Sequence, residues 1–185
     1  MKTLIIIPSR LAATRLPNKP LLKINGLSII SHVYKKAVAT NIGDVFVATG
    51  DQEIIDDVKK NGGKAILTGN HHKTGTDRIY EALKKLEEPG VDLVLNLQGD
   101  EPLINIEDIK NLHQKMITTN SKFGTLGANI LDKSLYEKNS LVKVITKKNL
   151  DINQFPEATN FSRKINSNFE KTYQHLGVYC YQKET

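Results

Sequence analysis

From Thr3 to Pro8 the chain is an unbroken apolar run, the pattern of a strand buried on both faces, and it stops at a proline followed by a polar loop. Such a strand opens an α/β unit with a parallel sheet. Ile29, Ile30, Val33, Tyr34, Ala37 and Val38 then recur at helical spacing behind Ser28, which predicts a helix N-capped by that serine. Asp44 to Thr49 reads as the next strand, Asp51 to Asn61 as a helix stopped by Gly62-Gly63, and Lys64 to Leu67 as a short strand. Gly75 to Leu86 reads as a further helix, closed by Pro89-Gly90, and Val91 to Leu97 as a strongly apolar strand. This strict alternation predicts a doubly wound, mostly parallel sheet.

Beyond a helix predicted at Ile106 to Thr118 the pattern changes. Gly124 to Ile130, Leu141 to Thr146 and Leu176 to Tyr181 read as strands joined by polar stretches, without strong helical periodicity. A smaller mixed α+β subregion is therefore expected to start near residue 120. It is expected to carry a second substrate, since ligands in open α/β sheets bind beyond the carboxyl ends of the strands.

A length of 185 residues with 39% hydrophobic residues suffices for one main core and a small appendage. No apolar run is long enough to cross a bilayer and no signal segment opens the chain, so the expected location is the cytoplasm, with no membrane partner. The single cysteine, Cys180, excludes an intramolecular disulfide and reads as a small buried strand residue. A net charge of +6 suits an anionic partner, but the lysines follow helices and are not interleaved with aromatics, which argues against nucleic acid.

The chemistry concentrates in two loops. Directly after the first strand, the segment from Ser9 to Pro20 carries Arg10, Arg15 and Lys19. The two arginines can each grip phosphate oxygens in bidentate fashion, and Lys19 can serve as a point charge on the same polyphosphate. Pro17 and Pro20 stiffen the segment, and Asn18 tolerates a left-handed turn. The segment is neither GxxxxGK[ST] nor GxGxxG, and on spacing alone a basic surface loop with ordinary ion pairs explains it equally well. After the fourth strand comes Gln98-Gly99-Asp100-Glu101-Pro102, which sets a carboxylate pair at a strand's carboxyl end. Asp100 is a natural ligand for Mg²⁺, which takes one or two carboxylates together with substrate phosphates; the alternative is an aspartate capping the turn into the next helix. His71 and His72 are adjacent and lack the i,i+4 spacing of a helical zinc pair, so no zinc site is expected. No nucleophile elbow is present either.

Seven segments together resemble the 3-deoxy-manno-octulosonate cytidylyltransferases (CMP-Kdo synthetases), in family order and at family-like spacing. They are SRLAATRLPNKP at 9–20, Val47-Ala48-Thr49, Gly75-Thr76-Asp77-Arg78, NLQGDEP at 96–102, Val142-Lys143-Val144, Phe161-Ser162-Arg163 and His175-Leu176-Gly177-Val178-Tyr179. The resemblance implies a fold of the nucleotide-diphospho-sugar transferase type. Residues 1–120 would form a nucleotide-binding α/β core, and residues 121–185 a mixed α+β sugar-binding subregion, incomplete at its C-terminus. It further implies CTP and Kdo as substrates, Mg²⁺ as cofactor, a role in lipopolysaccharide biosynthesis, and compatibility with a homodimer. By residue, Arg10, Arg15 and Lys19 match positions that hold the triphosphate, and Asp100 matches a metal-binding aspartate. Arg10, Lys19 and Asp100 are thereby the catalytic candidates. Arg78 is placed near the nucleotide or sugar, and Gln98, Arg163 and His175 match positions that contact the acidic sugar.

Departures from the family pattern fall at Gly50, usually Asp, at Asn18, usually Gly, and at His71, where Asp is expected. The family's later helical segment and second metal-binding aspartate find no match, so a C-terminally truncated chain is expected, with a catalytically dead nucleotide-binding remnant as the alternative. Another sugar nucleotidyltransferase, with a different base or acidic sugar, is the nearest rival. The expected reaction is direct in-line transfer, in which an oxygen on the anomeric carbon attacks the α-phosphorus of CTP and pyrophosphate leaves.

Overall fold

The opening apolar run forms β1 (Lys2–Ser9), in which every residue from Thr3 to Ser9 is buried. The computed structural model describes residues 1–12, 16–151, 153–165 and 170–184. The chain divides into two units, Met1–Gly124 with Val178–Thr185, and Thr125–Gly177. After β1 the first unit continues through a small hairpin, β2 (Lys23–Ile24) and β3 (Leu27–Ser28), then α1 (Ile29–Ala39) and β4 (Asp44–Thr49). It goes on with α2 (Gln52–Lys60), β5 (Ala65–Leu67), α3 (Gly75–Leu86), β6 (Val91–Asn96) and α4 (Ile106–Thr119).

Because β1 has no face to give to water, it must be flanked on both edges and covered on both faces. β4 pairs with it in parallel on one edge, Ile5 beside Val45 and Ile7 beside Val47, and β6 pairs in parallel on the other, Ile5 beside Leu95. β5 extends the β4 side, again in parallel. On one face Leu4 and Ile6 join Ala48, Val94 and the α3 residues Ile79 and Ala82 in a core cluster. On the opposite face Thr3 Oγ1 meets His113 Nε2 of α4 at 2.8 Å. α1 packs on β1 and β4 beside α2 and α4. The period-2 alternation of one strand thus assigns the helices to two layers.

The helix starts follow from local chemistry. Ser28 caps α1 by accepting from the Ser31 N–H, and its hydroxyl donates to Asp57 of α2 at 2.5 Å. α3 begins with a capping box in which Thr74 Oγ1 accepts from the Asp77 N–H and Asp77 accepts from the Thr74 N–H. Asn105, and not Asp100, caps α4, its side chain accepting from the Glu107 N–H.

The second unit takes in most of β7 (Phe123–Ala128), followed by β8 (Lys143–Thr146), β9 (Ala158–Ser162) and the first part of β10 (Thr172–Gln182). β8 lies antiparallel to both β9 and β10. β9 has no counterpart in the sequence reading, because its residues are mostly exposed and carry no alternation of apolar and polar positions to signal a strand. Lys143 is completely buried, and its Nζ donates to the carbonyls of Lys138 at 2.7 Å and Arg163 at 2.9 Å. From Val178 the chain returns to the first unit, where Tyr179 to Gln182 pair antiparallel with β6. The subregion read as running to residue 185 therefore ends at Gly177, and the last part of β10 belongs to the first unit. Cys180 in that strand is fully buried, and burial pushes its thiol up to about 12. Among the described residues no helix is long and apolar enough to cross a membrane.

Burial is the main cause that lowers the His113 pKa from the ordinary imidazole value of 6.5, with the N-terminal amine adding to it, and burial does the same to His175. The folded chain resists a proton that the unfolded chain accepts. Stability is therefore complete above about pH 6.5 and declines as the pH falls below it. In His113→Gln, which keeps a polar partner for Thr3, urea midpoints measured between about pH 7 and pH 5 should show a shallower decline than the parent. An identical slope would remove His113 from this account.

Candidate active site

In the order β5-β4-β1-β6 the chain first winds outward from β1 and then returns, through α3, to β1's other edge. The carboxyl ends of β1 and β6 are therefore the point at which the winding reverses, where an open α/β sheet forms its crevice. Gly99, just past β6, keeps that crevice tight: a Cβ there would lie 3.1 Å from the Pro8 carbonyl and 3.1 Å from Ile30. A cavity of about 300 Å³ opens above, lined among others by Arg10, Lys19, Arg78, Gln98 and Asp100. Five of the residues singled out from the sequence thus share one cavity.

The loop after β1 is held at both ends. Asp51 Oδ2 accepts from the Leu11 N–H at 2.8 Å, and the Leu11 carbonyl accepts from the Asn18 N–H at 3.3 Å. Asp51 stands at the N-cap position of α2 yet makes no side-chain cap there, its carboxylate being committed to the loop. Asn18 has φ 57° and ψ 19°, the left-handed conformation that Asn tolerates best after Gly, and it leads into a single 3₁₀ turn, Lys19–Leu21, anchored by buried Pro20. Lys19 Nζ lies 2.7 Å from Asp100 Oδ2. With the Asp100 side chain 51% exposed, this ion pair adds little stability and exchanges readily. Arg15 lies outside the described residues.

Arg78 sits in the first turn of α3, 4% exposed, and donates to Thr68 Oγ1 at 2.6 Å and to the Gly69 carbonyl at 3.2 Å. Burial lowers its pKa, Asp51 opposes that, and Arg10 adds to the lowering, so the three charges are electrostatic neighbours. Thr74 and Gly75 bring the N-terminus of α3 to the cavity wall. Gln98 Nε2 donates to Asn96 Oδ1 at 3.2 Å, which orients its amide. Glu101 is not among the lining residues and closes a turn through its N–H to the Gln98 carbonyl. Of the two sugar candidates in the second unit, Arg163 Nη1 donates to the carbonyls of Asn139 and Ser140, each at 3.1 Å. His175 Nε2 is 2.9 Å from Thr125 Oγ1, and its ring meets Phe161 edge-on at 5.2 Å.

Three features of the site escaped the sequence reading. Ser9 Oγ is buried at the cavity wall and has no hydrogen-bond partner among the described residues. Asp51 read only as a helix start. His72 also lines the cavity and pairs with Glu81 of α3, a partner nine positions along that adjacency to His71 did not suggest. Lys85, the Gly69 N–H and His72, in that order, lower the Glu81 carboxyl from 4.5 to about 2.

Residues 4–185 match the family described as Cytidylyltransferase. The 3-deoxy-manno-octulosonate cytidylyltransferase of Thermodesulfovibrio yellowstonii is 41% identical, over 98% of this chain and 75% of that protein. Its namesake from Francisella tularensis is 40% identical, over 96% and 74%. The chain belongs to the 3-deoxy-manno-octulosonate cytidylyltransferase family. Among solved structures, CMP:2-keto-3-deoxy-manno-octonic acid synthetase complexed with CTP matches with a TM-score of 0.86 at 38% identity, covering 100% of this chain and 75% of that one. The fold is accordingly of the nucleotidyltransferase type read from the sequence.

Within this cytidylyltransferase frame the geometry accounts for two of the three departures. At position 18 the left-handed backbone accepts Asn in place of Gly. At Gly50 an added Cβ would overlap Asn70 Oδ1 and approach the Gly69 carbonyl to 3.2 Å, so the Asn70 side chain fills the room that Asp would take. Restoring the family residue by Gly50→Asp should therefore destabilise the chain by about 1 to 3 kcal/mol, and Asn70→Ala should recover most of that loss. Chemical denaturation of both single variants and the double would measure the coupling, and strictly additive effects would show that Asn70 does not occupy the missing side chain's place.

Proposed function

We propose that the chain joins CTP to 3-deoxy-manno-octulosonate, giving CMP-Kdo and pyrophosphate. The observation that carries this reading is the convergence of Arg10, Lys19, Arg78 and Asp100 on one cavity at the sheet's reversal point, in a chain 38% identical to a synthetase solved with CTP. Arg10 and Lys19, with Arg15, hold the triphosphate against its own charge, which grows on the leaving pyrophosphate. The α3 N-terminus at Thr74-Gly75 and the Ser9 hydroxyl, without a partner among the described residues, add polar groups of the kind phosphate oxygens accept from. The family resemblance assigns Gln98, Arg163 and His175 to recognition of the acidic sugar. The anomeric oxygen attacks the α-phosphorus, a P–O bond forms as the bond to pyrophosphate breaks, and no nucleophile from the protein is needed.

Asp100 would hold Mg²⁺. It presents a hard, half-exposed carboxylate at the cavity edge, tied among the described residues to Lys19, which a polyphosphate can draw away. When bound, the ion neutralises phosphate charge. The same reading extends to a role in lipopolysaccharide biosynthesis, a cytoplasmic location and a homodimer.

Pyrophosphate release with Kdo should be supported by CTP and much more weakly by UTP or ATP; equal rates would defeat the base assignment. Asp100→Asn should retain nucleotide binding, lower kcat by about a hundredfold or more, and flatten the dependence on Mg²⁺. A variant that titrates with Mg²⁺ and turns over as the parent does would reduce Asp100 to a turn residue. Arg163→Ala and His175→Ala should raise KM for the sugar acid and leave that for CTP near the parent value. An effect confined to CTP would reverse the assignment of the second unit.

A further inference from the structure

We propose that His71, His72 and Glu81 form a binding site for a borderline divalent transition-metal ion of the Zn²⁺ type, at the rim of the cavity. One ligand atom from each of the three side chains lies within 4.8 Å of the others. The two imidazole rings lie 4.4 Å apart between centroids. His72 is 10% exposed in its side chain and Glu81 23%, so both are held in place, while His71 is exposed and has room to turn toward them. Closing from 4.8 Å to the separations of about 3.3 Å implied by four-coordinate metal–ligand bonds needs only side-chain rotation. Two imidazoles and a carboxylate favour Zn²⁺, Co²⁺ or Ni²⁺ over Mg²⁺, and three protein ligands leave a position open.

The surroundings are built for such an ion. Gly69 leaves space where a Cβ would collide with the His71 ring, and its N–H donates to both Glu81 oxygens at 3.1 and 3.0 Å. Lys85 holds Oε1 at 2.8 Å, whereas His72 Nε2 faces Oε2, so the carboxylate can keep its lysine on one oxygen and offer the other. The metal takes the place of the hydrogen bond between His72 Nε2 and Glu81 Oε2. Lys85, ion-paired with this carboxylate, and Arg78, within its electrostatic reach, weaken binding without closing the site. The site is distinct from Asp100, and it depends on His71, a position at which the family pattern has Asp.

The full chain should be titrated with Co²⁺ while visible d–d absorption is recorded, and with Zn²⁺ by calorimetry. One equivalent of Co²⁺ should give the intense absorption of a low-coordinate site with nitrogen ligands, and Zn²⁺ should displace it. His71→Ala, a change on an exposed ring that leaves the fold in place, should weaken binding by about tenfold or more. Glu81→Gln should do the same, with circular dichroism confirming its fold, and Asp100→Asn should leave the Co²⁺ spectrum as in the parent. Binding of either ion that is unchanged in His71→Ala, or a parent chain without one-equivalent saturation, would overturn the proposal.

Discussion

A strand with no face for water governs this molecule. β1 is buried from Thr3 to Ser9, so it needs strands on both edges and helices on both faces, and a chain that starts there must wind to one side and come back to the other. The return leaves the carboxyl ends of β1 and β6 side by side at the cavity. The cavity is a by-product of that route, and the residues that follow the two strands fall at its walls wherever they carry chemistry.

Charge decides what the crevice can accept. Arg10, Lys19 and Arg78 face it with Asp51 and Asp100 as their counter-charges. The two carboxylates act differently: Asp51 is spent on a backbone N–H and so fixes where the loop begins, whereas Asp100 is half exposed, rests on Lys19 and remains available. A buried guanidinium tied to Thr68 and Gly69 makes a rigid wall; a half-exposed ion pair makes a movable one. The site thus combines a fixed cation with cations that can follow a polyanion.

The parallel core was legible because its signals are local: continuous apolar strands, helical spacing, and glycine or proline stops. Asp44–Thr49 and Gly75–Leu86 fall where their periodicity sets them. Arg10, Lys19 and Asp100 were legible because each follows a strand end, where this architecture has to place its ligand. Asp51 was not, since its role is a bond to a residue 40 positions earlier. Nor was β9, a mostly exposed strand that owes its place to pairing with β8. The pairing of His72 with Glu81 escaped because it joins a loop to a helix face, a spacing that no single periodicity contains.

β10 has a consequence for the order in which the molecule can be completed. β6 is translated long before Tyr179 to Gln182, the residues that close its free edge, and the whole second unit lies between them in the chain. While a ribosome is still making that insert, an apolar strand bearing Leu93, Val94 and Leu95 presents an open row of N–H and C=O groups. For that interval the nascent chain is adhesive toward other strands, and the length of the inserted unit sets how long the interval lasts.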